Sequence, residues 1–181
     1  MKPPVLETAR LRLRPFTPAD APAVQLLAGA RAIADTTRLI PHPYPDGVAE
    51  AWIATHPRLH EEDKALTLAL EVREQRRLCG AIGLRLEAGD RHAELGYWVA
   101  VADWGRGFCT EAARAVVDHG FRALGLHRVW ASHFARNPAS GRVLEKIGMT
   151  REGYLRQHLR KWDTYEDVVV YGVLRSEWRT R

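Results

Sequence analysis

Leu11 and Leu13 alternate with Arg10, Arg12 and Arg14 in ARLRLRPF, the two-residue period of a strand with one buried face. In TPADAPAVQLLAGA the spacing turns helical: Thr17 offers a cap, proline stands in the early turn, and Val24, Leu26 and Leu27 supply an apolar side. A proline-rich loop, IPHPYPDG, leads to a second helical stretch around VAEAWIATH, which Pro57 is expected to end. ALTLALEV, LCGAIGLRL and HAELGYWVAV then read as strands separated by REQRR and EAGDR, and links this short allow only antiparallel neighbours. From Thr110 onward, Ala113, Val116, Val117, Phe121 and Leu124 keep a helical stripe that Gly125 is expected to close. HRVWASHF is strand-like again. NPASGRVLEKIGM carries Asn137 as cap, Pro138 at the first helical position, Val143, Leu144 and Ile147 on one side and Gly148 just past the end. TREGYLRQH and TYEDVVVYGVL follow as a pair of strands. The predicted order is β, α, α, three antiparallel strands, α, β, α, β, β.

With 181 residues, 46% of them hydrophobic, the chain suits one domain over residues 1–181 with a full core. No run approaches the ~20 apolar residues needed to cross a bilayer, and MKPPVLETAR lacks a signal-peptide core, so a cytoplasmic protein without a membrane partner is expected. Two cysteines and eight scattered histidines, without HExxH or paired-cysteine spacing, predict no structural metal. The net charge of +5 suits an anionic partner. Its basic residues are spread along the chain, with only RQHLRK as a cluster, which argues against a nucleic-acid surface.

The junction DWGRGFCTEAA, residues 103–113, sets two glycines ahead of an apolar helical run. A helix N-terminus exposes N–H groups without internal partners and adds the positive end of the macrodipole. Gly105 and Gly107 remove side chains that would block a phosphate and permit unusual dihedrals, and Arg106 adds charge. The plainer alternative is a tight turn whose glycines serve geometry alone. A Walker loop needs GxxxxGK followed by Ser or Thr, which the chain lacks. A dinucleotide fingerprint needs a third glycine where Thr110 stands, within a parallel unit that the preceding antiparallel strands do not supply.

AELGYWVAVADWGRGFCTEAARAVVDHGFRALGLHRVWASHFARNPASGRVLEKIGM resembles the acetyl-CoA-binding core of the GNAT N-acetyltransferase superfamily, in its RimJ/RimL-like branch. LETARLRLRPFTPAD and DVVVYGVLRSEW extend the resemblance over nearly the whole chain. It implies an α+β fold in which a mixed, mostly antiparallel seven-stranded sheet, flanked by about four helices, splays into a V that admits acetyl-CoA. The pyrophosphate is then expected on the backbone of Gly105, Arg106, Gly107, Phe108 and Cys109, with the Thr110 hydroxyl beside it. The pantetheine arm would pair with the strand at Trp98, Val99, Ala100 and Val101. Asn137 and Ser140 match the N-x-x-S where the family contacts the cosubstrate near its sulfur. Trp104 and Cys109 depart from the family, which usually has Gln or Arg at the first position and Ala or Gly at the second.

The reaction this implies is attack of a primary amine, on a protein N-terminus or a small molecule, on the thioester. The Val99 N–H is expected to face the developing oxyanion. Glu94, on the face of Trp98 by alternation, reads as the proton acceptor, directly or through water, or else as a solvated strand charge. His92 is a second candidate on that face, or a surface histidine. Ser140 reads as a hydrogen-bond partner of the leaving thiolate or as part of a helix start, and Asn137 as a contact or a cap. Cys109, at a helix N-terminus, opens the option of an acetyl-cysteine intermediate, but a small residue packed under the loop is the plainer reading and direct transfer is expected. Cys79 reads as core. His42, Tyr44 and Trp162, on IPHPYPDG and RQHLRKWDTYED, are candidates for the amine-side pocket. The competing classes are a non-catalytic acyl-CoA sensor and a basic RNA- or ribosome-binding protein. The last strands can pair across a homodimer.

Overall fold

Hairpins build most of the sheet. The computed structural model describes residues 3–179. Strands β1 (Leu6–Glu7) and β2 (Leu11–Arg14) form the first hairpin, followed by α1 (Ala21–Ala28), α2 (Arg31–Thr36) and α3 (Val48–Glu61). Next β3 (Ala65–Val72), β4 (Arg77–Glu87) and β5 (His92–Val99) run as an antiparallel meander. Helix α4 (Phe108–Arg122) carries the chain over to β6 (Arg128–Phe134), which lies parallel to β5. After α5 (Pro138–Ile147), β7 (Thr150–Lys161) and β8 (Thr164–Leu174) complete a sheet of order β1-β2-β3-β4-β5-β6-β8-β7.

The alternation in β2 places Leu11 and Leu13 wholly in the core while Arg12 faces solvent. Each such side chain stabilises the fold by about 1.5–3 kcal/mol. One apolar layer joins the sheet to α4 and α5 through Val116, Val117, Phe121 and Leu144. The opposite layer packs Val24, Ile33 and Ile53 against Ala69, Ala81 and Trp98.

The expected fold class holds, with corrections in detail. Among the described residues there are eight strands rather than seven and five helices rather than about four. The additions, β1 and α2, are too short to print a period on the sequence. Pro57 does not end α3 but lies inside it. A proline there removes one helical hydrogen bond, and the burial of Ala49 and Ile53 against the sheet carries the helix past it. Helix α4 stops at Arg122, earlier than its apolar stripe suggests, and Gly125 serves the following turn with φ +65°.

Two features at the far half of the sheet bear on function. Strands β5 and β6 pair only at His92–Arg128, Ala93–Val129 and Glu94–Trp130. Beyond these, β5 stays with β4 as far as Val99 and β6 stays with β8 as far as Phe134, so the sheet splays open between them. Strand β7 forms the exposed margin, and its pairing with β8 breaks near Gly153 and again between Leu155 and Leu159. At the second break Gln157 has φ +49°, and Asp167 accepts its N–H at 2.7 Å as well as the Tyr154 hydroxyl.

Candidate active site

At the open end of β5 the peptide groups alternate in direction. Ala100 donates its N–H to the Cys79 carbonyl at 2.8 Å, toward β4. The peptide groups of Tyr97 and Val99 therefore point the other way, into the splay. Side chains alternate across the sheet as well: Trp98 packs on the α1–α3 side, while Tyr97 and Val99 belong to the α4–α5 side. Ala100 is buried and Val101 exposed. The Trp104 indole, half exposed, donates to the Val99 carbonyl at 2.7 Å. This residue, a departure from the family pattern, thus caps a carbonyl that faces the cleft.

A 3-10 turn, Val101–Asp103, leads from β5 into the glycine loop. Gly105 and Gly107 have φ +74° and +81°, the left-handed region where a Cβ is strained, and Gly107 caps α4. The helical ladder begins at Glu111, whose N–H reaches the Gly107 carbonyl at 3.1 Å, so the first-turn N–H groups of Phe108, Cys109 and Thr110 lack helical acceptors. Buried Asp103 anchors the loop to β4, receiving two bonds from Arg77 at 2.7 Å each and one from Arg106 at 2.9 Å. These arginines hold its carboxyl below the usual range. Arg106 is consequently an ion-pair partner as well as a cation at the loop.

Arg10, which the sequence pattern did not single out, reaches the glycine loop. Its guanidinium donates to the Arg106 carbonyl at 2.9 Å and to Glu111 at 2.7 Å, and its own N–H reaches Glu111 at 2.8 Å. Both Arg10 and Arg106 lie over the Phe108 ring, at 4.9 and 4.7 Å from its centroid. Two cations thus flank the bare turn. Burial pushes the Cys109 thiol well above its ordinary value, which opposes the low-pKa nucleophile that a helix N-terminus alone would suggest. Cys79 is fully buried, as expected of core.

Across the splay, Asn137 caps α5, its side chain accepting the Ser140 N–H at 3.4 Å. The Ser140 hydroxyl meets the Tyr97 hydroxyl at 2.8 Å, a link between β5 and α5 that was not foreseen. Burial pushes the Tyr97 phenol far above its usual value.

Glu94 lies at the closed end of the splay, ion-paired with Arg85 across β4 and β5. Five extended residues, roughly 17 Å, separate it from Val99, so only a water chain can join them. Gly96, between Glu94 and Trp98 on the same face, leaves room for one: a Cβ there would meet nothing within 4 Å. His92 stacks on His127 with centroids 6.2 Å apart, remote from the loop.

The two loops nominated for the amine side do meet. Lys161, buried at the end of β7, donates to the carbonyls of Arg38 at 3.2 Å and Ile40 at 2.8 Å, and burial lowers its pKa. Arg136 ties the same region together through Glu166 and Asp35, each at 2.9 Å. Trp162 sits exposed at the turn beside Lys161, whereas Tyr44 packs into the α1–α3 layer and His42 bonds the Gly29 carbonyl at 3.1 Å. No cluster of three or more potential metal ligands occurs among the described residues. No helix among them is long and apolar enough to cross a membrane.

The splayed β5–β6 pair and the left-handed glycine turn opening the intervening helix are the arrangement that the resemblance to acetyl-CoA-dependent N-acetyltransferases implies. Residues 10–150 match the family model described as acetyltransferase (GNAT) domain. The chain is 35% identical over 175 residues to the Uncharacterized N-acetyltransferase YoaA of Bacillus subtilis (strain 168), covering 95% of this chain and 97% of that protein. It is 26% identical to the [Ribosomal protein uS5]-alanine N-acetyltransferase of Escherichia coli (strain K12), covering 76% and 71%. Mycobacterium smegmatis RimJ in complex with CoA-disulfide superposes with a TM-score of 0.89 at 22% identity, covering 99% of this chain and 93% of that one. The chain belongs to the GNAT acetyltransferase family and is an acetyl-CoA-dependent N-acetyltransferase of RimJ/RimL-like type.

Proposed function

We propose that the chain transfers acetyl from acetyl-CoA to a primary amine, a protein N-terminal α-amine or a small-molecule amine, by direct attack in a ternary complex. The observation that carries this reading is the bare, left-handed Gly105–Gly107 turn at the head of α4, standing at the open end of β5. Acetyl-CoA supplies an acetyl group already activated as a thioester. The N–H groups from Gly105 to Thr110 grip its pyrophosphate, assisted by the Thr110 hydroxyl and by Arg106 and Arg10. Trp98, Val99, Ala100 and Val101 form the strand edge along which its peptide-like arm lies. The Val99 carbonyl has two lone pairs, so the Trp104 bond leaves one for that arm.

The Val99 N–H, aimed into the splay, serves the developing oxyanion. Ser140, placed by the Asn137 cap, serves the departing sulfur. The proton of the amine leaves through water over Gly96 toward Glu94. An α-amine, with a reference pKa near ~8, is neutral about a tenth of the time at pH 7, whereas a lysine near ~10.4 is so only a few times in ten thousand. A distant, water-mediated base suits the α-amine, and the similarity to a uS5-alanine N-acetyltransferase favours the same acceptor class. The raised Cys109 thiol supports direct transfer over an acetyl-enzyme.

The test is a thiol-release assay with acetyl-CoA over peptides differing at their first residue, together with small amines. Release of CoA is expected with at least one of them, fastest with a peptide α-amine. Binding of acetyl-CoA without release by any amine would replace this reading with that of an acyl-CoA sensor.

A further inference from the structure

Tyr97 is a polar side chain that crosses the splay. It stands on β5, two residues before Val99 and on the same side of the sheet; its hydroxyl lies 2.8 Å from the Ser140 Oγ, where either oxygen can donate, and also donates toward the Ser140 carbonyl at 3.3 Å, so its one proton has two acceptors on Ser140, of which Oγ is the nearer. Serine has one hydroxyl proton and two lone pairs. If that proton points at tyrosine it cannot point at a substrate. If tyrosine is the donor, the serine proton is free to turn into the cleft. We infer that Tyr97 is a positioning residue for acetyl transfer: it donates to the Ser140 Oγ and so aims the single Ser140 O–H at the leaving sulfur.

The inference rests on the acetyltransferase reading above and adds to it a role for a residue that never touches substrate. As the acceptor nitrogen forms its bond to the acetyl carbon, the C–S bond breaks and its electron pair goes to sulfur. The Ser140 O–H stabilises that growing charge by a hydrogen bond, without losing its proton. The proton released by the amine reaches solvent, and solvent returns one to the sulfur, so the products are the acetylated amine and CoA thiol. Burial keeps the phenol protonated across the working range, so Tyr97 remains a donor throughout. A charge-assisted bond from serine to thiolate gains strength when serine is itself an acceptor, because chained hydrogen bonds polarise one another.

The experiment compares wild type with Tyr97→Phe, which removes one oxygen and keeps the ring. Wild-type release of CoA from acetyl-CoA is measured first, and without it the acetyltransferase reading fails and the inference falls with it. Given activity, Tyr97→Phe is expected to lower kcat about tenfold while KM for acetyl-CoA stays within about twofold. The decisive readout is the leaving group. With acetyl-seleno-CoA, whose selenolate departs without help, the deficit is expected to shrink to about twofold or less. Equal deficits with sulfur and selenium, or no deficit at all, overturn the inference, since a merely structural defect does not sense the leaving atom. Ser140→Ala is expected to show the same selenium dependence, and adding Tyr97→Phe to it is expected to cost little more, because two residues acting through one bond are not additive. A full further loss overturns the inference. Should the phenylalanine variant not fold, fluorotyrosines of graded acidity at position 97 preserve shape and bond. A kcat that holds or rises with donor acidity supports the assignment, and one that falls with it overturns the assignment.

Discussion

Three single residues carry sharp expectations. Gly107 has φ +81°, and the nearest atom to an added Cβ is the Arg10 guanidinium at 3.4 Å. Gly107→Val sets a β-branched side chain in the left-handed region and across the first-turn N–H groups. Acetyl-CoA affinity measured by calorimetry is expected to fall at least about a hundredfold, with the circular dichroism spectrum kept; a folded variant of unchanged affinity removes the phosphate cradle. Glu94→Gln is expected to lower kcat at least about tenfold with KM for acetyl-CoA unchanged, and an undiminished rate takes Glu94 out of the proton path. His56 has both ring nitrogens buried without partners, packed on Phe16 and Trp52, and burial pushes its pKa down to about 4. The unfolded chain takes up this proton near ~6.5, the folded one only near 4, so the contribution is whole above pH 6.5 and is lost as pH falls to 4. His56→Phe is expected to flatten the decline of melting temperature across that window; an identical decline in wild type and variant refutes the assignment. At this scale the sequence disclosed what is local. A left-handed glycine and a cap three residues from its partner announce themselves, whereas Arg10 meets Glu111 from 101 positions away and Tyr97 meets Ser140 from 43. Nothing in a one-dimensional pattern marks such pairs.

Elements were legible where they were long enough to repeat. Helices α4 and α5 and the meander β3–β5 show their periods over two or more turns or pleats, and α5 is signed at both ends by Asn137 and Gly148. Strand β1 and helix α2 exist through their neighbours: Leu6 pairs with Leu13, and Asp35 of α2 holds Arg136. Pro57 shows the converse, a local stop signal overruled by packing. Replacing it with alanine restores one helical hydrogen bond and removes a ring clash in the middle of α3. Pro57→Ala is expected to stabilise the protein by about 1–3 kcal/mol, read as a higher urea midpoint at unchanged slope. A lower midpoint shows instead that α3 is better served by the proline at this position.

In the whole molecule the sheet divides the labour. The glycine loop, Arg10 and the open end of β5 gather where the proposed function puts the acetyl donor, while α2, the following loop and the β7–β8 turn gather around Lys161 and Arg136. Lys161→Met keeps the apolar stem and removes the ammonium that binds the Arg38 and Ile40 carbonyls. The KM for the acceptor amine is expected to rise about three- to tenfold with KM for acetyl-CoA unchanged. A change confined to acetyl-CoA would misplace the acceptor wall. The exposed edge of β7, the same strand that ends at Lys161, has a different consequence. At β7 the backbone turns aside at Gln157, secured by Asp167, and an incoming chain that tries to stack there finds no long, flat ledge to copy. The bend thus leaves only short straight runs of β7 backbone for another strand to copy.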